Sequence, residues 1–407
     1  MSKNTDTIYA LSTPQGKSAI AVIRVSGKTA LKVIRKIAKI KKIIPNKTNL
    51  LFLKNNNSII DQALVIYFKS PNSFTGEDVM EIYCHGGFAV IDKISKTLEN
   101  NDVRLAEPGE FTKRALLNDK IDLVKTESIS DIINAETEKQ RILAIKNLSG
   151  GLSEFTTKIN QKISSNLANI EALIDFSDED LPSNVLKRIK EQNKNIIKEI
   201  TTELKKAEKS KPIREGIKIG IIGKPNTGKS SFINYISNKD VSIVTNIPGT
   251  TTDAITSAID IKGVKFTFFD TAGLRKHKNK IEEIGIKKTK ELIEKTDLNI
   301  IFLNVDEKDK YNNISNKIFV RSKSDIRKTI KTKNSSLDIS SVTGNGISKL
   351  LSEVYKKTVK KNIETPVLSR ERHINIMKKI LKILKAIDFD NSLDIIAFEY
   401  METLNLS

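Results

Sequence analysis

Apolar and polar positions follow one pattern in the first third of the 407 residues and another after it. Short β-branched runs at residues 19–25, 63–68 and 79–84 are bounded by turn residues, which predicts strands. Residues 90–98 have the spacing of a helix. We therefore expect an N-terminal α+β domain over residues 1–120.

After the first 120 residues the apolar period becomes helical. Apolar residues that step by three or four positions predict one stripe along a long helix: Ile159, Ile163, Leu167, Ile170 and Ile174. Residues 186–209 predict a second, charged helix, which Pro212 should end. The pattern thus predicts helices within residues 121–215 and again within 366–407.

Between those stretches, over residues 216–365, strands alternate with helices, which is typical of a parallel α/β sheet. The candidate strands are short and apolar: residues 217–222, 264–269, 298–305, 318–321 and 337–339. The fold class predicted for the chain is therefore multi-domain, with α+β, helical and mostly parallel α/β parts.

The composition changes the picture in two ways. Lys and Arg exceed Asp and Glu and give a formal net charge of +20, which favours polyanionic partners such as RNA but identifies neither a fold nor a site. A single cysteine excludes a disulfide scaffold and fits a reducing compartment. Because no run of about 18 apolar residues occurs, we expect a cytoplasmic protein without a membrane segment.

A phosphate-binding motif follows the first strand of the α/β part. Residues 223–230 fit G-x-x-x-x-G-K-[ST], with a strand before them and a helix-forming stretch after them. Its backbone N–H groups would cradle phosphates at a helix N-terminus. Lys229 is expected on the β and γ phosphates, and Ser230 on Mg²⁺.

Three further motifs follow in an informative order. Residues 270–273 (Asp-Thr-Ala-Gly) end a strand and can meet Mg²⁺ and the γ phosphate, while residues 249–253 form a polar loop between that motif and the phosphate loop. Asp325, after the strand at 318–321, can accept from the N1–H and N2–H₂ edge of guanine, which adenine lacks. Together these motifs predict a GTPase.

Leu274 stands where a glutamine could orient the attacking water, so another polar group must orient it.

Signatures spread over the whole chain resemble the MnmE (TrmE) family of tRNA-modification GTPases. They comprise residues 71–78, 85–87, 108–112, 114–115, 117–120, 174–176 and 370–373. The resemblance implies an N-terminal folate-binding and dimerisation domain and a helical domain with an inserted Ras-like GTPase domain. It also implies an MnmG-like, FAD-dependent partner in a heterotetramer. The implied reaction adds a (carboxymethyl)aminomethyl group to C5 of the tRNA wobble uridine, with carbon from 5-formyl- or 5,10-methylene-tetrahydrofolate.

The same resemblance implies residue roles. Glu282 would orient water, Mg²⁺ would bind Ser230 and Thr251, and folate would contact Arg24, Glu81 and Lys120. K⁺, which supplies positive charge near the phosphates, would bind Asn226, Thr245, Ile247 and Thr250. The nucleotide would contact Asn226, Thr227, Gly228, Lys229, Ser230, Ser231, Thr245, Asn246, Ile247, Pro248, Gly249, Thr250, Thr251, Asp270, Thr271, Ala272, Gly273, Ser322, Lys323, Ser324, Asp325, Ser340, Ser341 and Val342. Without the family, Arg24 and Glu81 are equally well explained as ordinary strand-surface charges.

Three departures from the family pattern leave alternatives open. Ser322 replaces an asparagine that bonds guanine and ties its loop to the phosphate loop, so we expect both bonds to be lost. Thr252 replaces an arginine, and the sequence stops at Ser407 before the family's Cys-x-Gly-Lys tail. One alternative is therefore a folate- and RNA-binding scaffold with a degraded GTPase, and another is a ribosome-assembly GTPase.

Overall fold

The computed structural model describes residues 6–176, 184–238, 255–270, 293–303, 313–326, 336–359 and 364–406. The chain divides into two compact units, Met1–Glu127 and Ser128–Ser407. The helix Leu123–Ile133 begins in the first unit and ends in the second. Each unit is described by itself.

The first unit contains a six-stranded sheet, with three helices before the helix at residues 123–133. Its elements are β1 (Thr7–Leu11), β2 (Ser18–Ser26), α1 (Ala30–Ala38), β3 (Thr48–Asn55), β4 (Ser58–Phe68), β5 (Val79–Gly86), α2 (Phe88–Glu99), β6 (Val103–Leu105), α3 (Glu110–Leu117) and α4 (Leu123–Ile133). Strand order is β3-β4-β5-β2-β1-β6, antiparallel except for the pair β1–β6. The three predicted strands and the predicted helix are confirmed, while β1, β3, β6, α1 and α3 were not predicted.

Helices α1 and α2 cover one face of this sheet. Alternate strand residues such as Ile23, Val65 and Ile82 are buried there against Ile34 and Leu98. The intervening residues point to the opposite face because successive side chains of a strand alternate. That opposite face carries Arg24 and Glu81 and several exposed apolar side chains, and it becomes relevant to the sites below.

The second unit combines a helical part with a second six-stranded sheet. Its elements after α4 are α5 (Glu138–Leu148), α6 (Gly151–Asp175), α7 (Val185–Glu215), β7 (Ile217–Gly223), α8 (Lys229–Ser237), β8 (Ile255–Ile261), β9 (Val264–Asp270), β10 (Leu298–Phe302), β11 (Lys317–Arg321), β12 (Leu337–Asp338), α9 (Ile347–Thr358), α10 (Glu371–Ala386) and α11 (Leu393–Leu406). The sheet order is β12-β11-β10-β7-β9-β8, and all neighbours are parallel except β8–β9. The prediction of a mostly parallel α/β sheet is confirmed.

Buried amides as well as the apolar stripe hold the helical part together. Ile159, Ile163 and Ile170 of the predicted stripe are buried on α6. Between them, the Nδ2 of buried Asn166 donates to the Tyr400 hydroxyl of α11 at 3.1 Å. The Nδ2 of Asn193 on α7 likewise donates to the carbonyl of Leu384 on α10 at 3.0 Å. A buried polar group that finds one specific partner fixes the register of packed helices, which apolar contacts alone do less well.

Helix α7 does not end before Pro212, so that prediction was wrong. The helix continues to Glu215, with Pro212 inside its last turn. A proline in the last turn removes a single intrahelical hydrogen bond, and no further turn follows that it could distort. The end falls at Gly216, whose φ is 72° and whose N–H donates to the carbonyl of Pro212 at 3.1 Å. The chain enters β7 directly after it.

The chain returns to the helical part beside the point where it left. The N–H of Val367 donates to Glu203 Oε1 of α7 at 2.5 Å. Nη1 of Arg214, also on α7, donates to the carbonyl of Ser369 at 2.8 Å, and Asn147 Nδ2 of α5 donates to the Ser369 hydroxyl at 2.9 Å. Both ends of the α/β part are therefore attached to the same helix.

Candidate functional site

The phosphate loop lies between β7 and α8, as the motif predicts. Gly223, Asn226 and Gly228 have φ angles of 155°, 62° and 90°, so the loop uses the conformations that glycine favours. A Cβ on Gly223 would lie 2.7 Å from the Phe302 carbonyl oxygen, and one on Gly228 would lie 2.6 Å from Ser322 Oγ. Both glycines therefore allow the backbone to pass close to its neighbours.

Lys229 is buried at the start of α8 with its ammonium held across the loop. Its Nζ donates to the carbonyls of Gly223 at 2.8 Å and Lys224 at 2.6 Å. The Thr227 hydroxyl donates to the same Lys224 carbonyl at 2.8 Å. Because the ammonium lies at a helix N-terminus, where backbone N–H groups and the helix dipole also attract anions, this loop fits a phosphate.

A carboxylate lies beside the loop at the end of β9. Asp270 pairs in register with Ile221 of β7 and is buried. Ser230, one residue into α8, is exposed. Carboxylate and hydroxyl oxygens are the hard donors that Mg²⁺ prefers, so the oxygen set of Asp270 and Ser230 fits this cation.

The base-side segments converge on the same loop. At the end of β11 the Ser322 hydroxyl donates to the Thr227 carbonyl at 2.5 Å. The N–H of Ser324 donates to the Ile339 carbonyl at 3.1 Å, and the next residue, buried Ser340, accepts from two backbone N–H groups of its own turn. The expectation that Ser322 loses the tie to the phosphate loop was wrong, because the shorter side chain still reaches it.

The remaining nucleotide-side residues fall into two groups. Exposed residues near these segments are Asn226, Ser231, Lys323, Asp325 and Val342, and Ser341 is half-buried. Outside the described residues lie Thr245, Asn246, Ile247, Pro248, Gly249, Thr250, Thr251, Thr252, Thr271, Ala272, Gly273, Leu274 and Glu282. The proposed K⁺ loop and water-orienting residue therefore stay predictions.

In the first unit, Arg24 and Glu81 face each other on neighbouring strands. Arg24 Nε and Nη2 donate to Glu81 Oε1 at 2.9 and 2.6 Å, and the Tyr83 hydroxyl donates to Glu81 Oε2 at 2.9 Å. The bond to Glu81 raises the pKa of Tyr83, since losing the proton would place two negative charges together. The guanidinium lies 5.6 and 5.8 Å from the ring centres of Phe74 and Phe111.

Lys120 lies beside the turn that contributes Phe74. Its side-chain carbons would be 3.1 to 3.2 Å from a Cβ on Gly76, a residue with φ 77°. Lys120 is exposed, and its backbone N–H donates to the Ala115 carbonyl at 2.9 Å. The side chain of Lys120 and the Arg24–Glu81 pair thus border the same turn.

Sequence reasoning assigned no role to a buried ion network behind that turn. Arg114, with 5% of its side chain exposed, donates through Nη2 to Glu110 at 3.0 Å and to Asp6 at 2.8 Å, and through Nη1 to Glu77 Oε2 at 3.2 Å. Arg104 also donates to Glu110, at 2.7 Å. Burial alone would raise the pKa of Glu110, but these bonds lower it to about 2. The network holds α3 and the 71–78 turn in place.

The second sheet, its phosphate loop and the neighbouring carboxylate define a P-loop nucleotide-binding protein. A family sequence model described as the GTP-binding protein TrmE N-terminus matches residues 7–120. Another, described as the MnmE helical domain, matches residues 123–406. The chain belongs to the MnmE (TrmE) family.

Named relatives agree with this assignment. The tRNA modification GTPase MnmE of Clostridioides difficile (strain 630) is 38% identical over 403 residues, which cover 93% of this chain and 88% of that protein. The protein of the same name from Fervidobacterium nodosum is 39% identical over 426 residues, covering 97% and 91%. The G domain of the Thermotoga maritima FeoB iron transporter is a more distant solved structure, with 20% identity, a TM-score of 0.27, and coverage of 35% of this chain and 98% of that one.

Proposed function

We propose that the chain is a K⁺-assisted GTP hydrolase that serves a tRNA-modifying complex. The modification would place a (carboxymethyl)aminomethyl group on C5 of the wobble uridine, with carbon from a folate. The observation that carries the proposal is the phosphate loop. Lys229 is hydrogen-bonded across this loop, and Ser322 joins the loop to the base-side loop. The chain also matches tRNA modification GTPases over most of their length.

Each part of the nucleotide would meet a different segment. Lys229 and the loop N–H groups would bind the phosphates, and Asp325 would accept from the guanine edge. Ser230 and Thr251 would hold Mg²⁺, and Asn226, Thr245, Ile247 and Thr250 would hold K⁺. Both cations supply positive charge where it accumulates during phosphoryl transfer. Glu282 would position the water, a task that Leu274 cannot perform.

The charged cluster on the first sheet supports a folate site. A folate offers carboxylates and a flat pterin with an amino edge. Arg24 and Lys120 are cations suited to the carboxylates, and Glu81 is an acceptor suited to the amino edge. Phe74 and Phe111 lie against Arg24 and provide flat apolar surface beside it. The Arg24–Glu81 ion pair must loosen when the ligand binds, because each would then exchange part of that bond for one to folate.

The partners follow from the surface and the family. The face of the first sheet that α1 and α2 leave uncovered carries exposed Leu50, Phe52 and Leu64, which supports a homodimer through this unit. An MnmG-like, FAD-dependent subunit would complete a heterotetramer, tRNA would be the substrate, and the activity would be cytoplasmic. No helix in the described part of the chain has the length and apolar character to cross a membrane.

The first test is GTP hydrolysis by the purified chain in K⁺ buffer and in Na⁺ buffer of equal strength, with ATP as a control. We expect GTP turnover to be much faster in K⁺ and absent for ATP. Lys229→Ala should lower turnover at least 100-fold, because the phosphate charge loses its main cation. Similar rates in the two buffers would contradict the K⁺ assignment.

The second test is the wobble-uridine state of tRNA in cells that lack the protein, by mass spectrometry of digested tRNA. We expect the modification to disappear and to return with the unaltered chain. Return with the Lys229→Ala variant would favour the alternative of a folate- and RNA-binding scaffold, which Thr252 still motivates. An unchanged tRNA would reject the tRNA role. The family matches to residues 7–120 and 123–406 argue against a ribosome-assembly GTPase.

A further inference from the structure

The Ser322 hydroxyl donates its only proton to the phosphate loop. Ser322 is 8% exposed at the end of β11, and its Oγ lies 2.5 Å from the Thr227 carbonyl oxygen. A carbonyl oxygen can only accept, so the Ser322 hydroxyl is the donor. The contact is close because Gly228 follows: a Cβ there would be 2.6 Å from Ser322 Oγ.

This commitment limits what Ser322 can offer a guanine base. On its major-groove edge guanine presents two acceptors, N7 and O6, and no donor. Its donors, N1–H and N2–H₂, lie on a different edge. A hydroxyl has one proton, and here the phosphate loop holds it. An asparagine amide has two protons, so an asparagine at this position could donate to the loop and to N7 together.

We propose that Ser322 is a positioning residue that ties the base-side loop to the phosphate loop, and that its hydroxyl does not donate to guanine N7, so that this protein reads guanine through Asp325. The inference rests on the proposed function, because it concerns how the same site selects its nucleotide. An asparagine amide can donate both to the phosphate loop and to guanine N7. Ser322 keeps the first of these hydrogen bonds and lacks the second.

The test compares GDP with 7-deaza-GDP, in which carbon replaces N7, by isothermal titration of the full chain with Mg²⁺ present. For the unaltered chain we expect the two Kd values to agree within about twofold. Ser322→Ala should weaken both nucleotides by about fivefold, the usual effect of one lost hydrogen bond, and leave their ratio unchanged. Ser322→Asn should retain GDP affinity and bind 7-deaza-GDP about fivefold more weakly than GDP.

The ratio is the decisive measurement, since a general loss of structure would weaken both nucleotides alike. Ser257→Ala, which removes a hydroxyl from β8 at the other edge of the sheet, serves as the matched control and should change neither Kd. A preference of fivefold or more for GDP in the unaltered chain would overturn the inference, and so would Ser322→Ala binding GDP with unchanged affinity. Failure of the unaltered chain to bind GDP at all would instead contradict the proposed function.

Discussion

At the scale of single residues, Arg114 shows how this protein keeps charges inside a small unit. Its guanidinium is almost fully buried, yet three carboxylates on separate segments accept from it. Breaking a buried pair by removing one partner costs much more than a surface pair is worth, because the other charge stays without compensation. The position of α3 therefore depends on the ionised state of these carboxylates.

Glu110→Gln should destabilise the first unit and flatten its dependence on pH. The pKa of Glu110 in the folded chain is about 2, below its ordinary 4.5. A carboxyl whose pKa is lowered by folding stabilises the folded state above its ordinary pKa, and that stability is lost as the pH falls from about 4.5 to about 2. At pH 7 this shift of the pKa corresponds to a loss of about 3 kcal/mol of stability in the variant.

The measurement is urea unfolding of the full chain at pH 7 and near pH 2.5. Hydrogen exchange of peptides from residues 6–127 is the readout, so that unfolding of the first unit is observed. The variant should unfold at lower urea than the parent at pH 7, and the difference between the two should be several times smaller at the acid end. Glu138→Gln is the control, because its ion pair with Arg141 lies on the surface of α5. A difference between parent and variant that is the same at both pH values would contradict this account.

The residue scale also shows what the sequence could predict. The phosphate loop was predictable because strand, loop and helix are contiguous, so local spacing contains the geometry. The bond from Ser322 to Thr227 joins residues 95 positions apart, and the Arg24–Glu81 pair joins residues 57 apart. No local pattern records such pairs, because they depend on which strands become neighbours.

At the scale of elements, β9 connects the helical part to the nucleotide site. Its second residue, Lys265, forms an ion pair with Glu136 just before α5, and the preceding turn at Gly263 packs against Lys139 of α5. Its last residue, Asp270, lies beside the phosphate loop. The strand spans about 20 Å at the usual rise per residue and is a stiff connection between the two places.

We expect this connection to transmit the nucleotide state. Lys265→Glu should reduce the difference in hydrogen exchange of residues 136–148 between the GDP-bound chain and the chain without nucleotide. Its Kd for GDP should stay within about twofold, because the variant residue does not touch the phosphate loop. The double variant Lys265→Glu with Glu136→Lys restores opposite charges and should restore the difference. An undiminished difference in the single variant would show that β9 does not carry the coupling.

Element patterns predicted both the helix and its packing where one face decided burial, but only the helix where charged residues masked that face. Residues 186–209 read as a charged helix, yet α7 is the helix against which α6 and α10 pack, since Ile189, Ile196 and Ile200 are buried at helical spacing among its lysines. Strand β3 escaped prediction because its apolar residues do not alternate with polar ones. Its outward side chains are themselves apolar.

At the scale of the whole molecule, we expect that outward apolar surface to form the interface of the proposed homodimer. Leu50, Phe52 and Leu64 are 61%, 47% and 43% exposed on β3 and β4, with Leu50 directly opposite Leu64. β3 is also an edge strand, which proteins normally protect. A second copy placed by a two-fold axis would cover the same patch on both chains, as symmetric dimers require.

Leu50→Glu combined with Leu64→Glu should therefore convert a dimer into a monomer, because opposed charges of like sign would be buried across a two-fold interface. Sedimentation equilibrium should show at least a tenfold rise in the dimer dissociation constant. Ile44→Glu, an equally exposed apolar residue in the loop between α1 and β3, should leave the dimer intact.

Because Arg24 and Glu81 lie on the same uncovered face, the monomeric variant also tests whether the folate site needs the second copy. We expect 5-formyl-tetrahydrofolate to bind more weakly to this variant than to the unaltered chain. Unchanged folate binding by a fully monomeric variant would show that one chain completes the site.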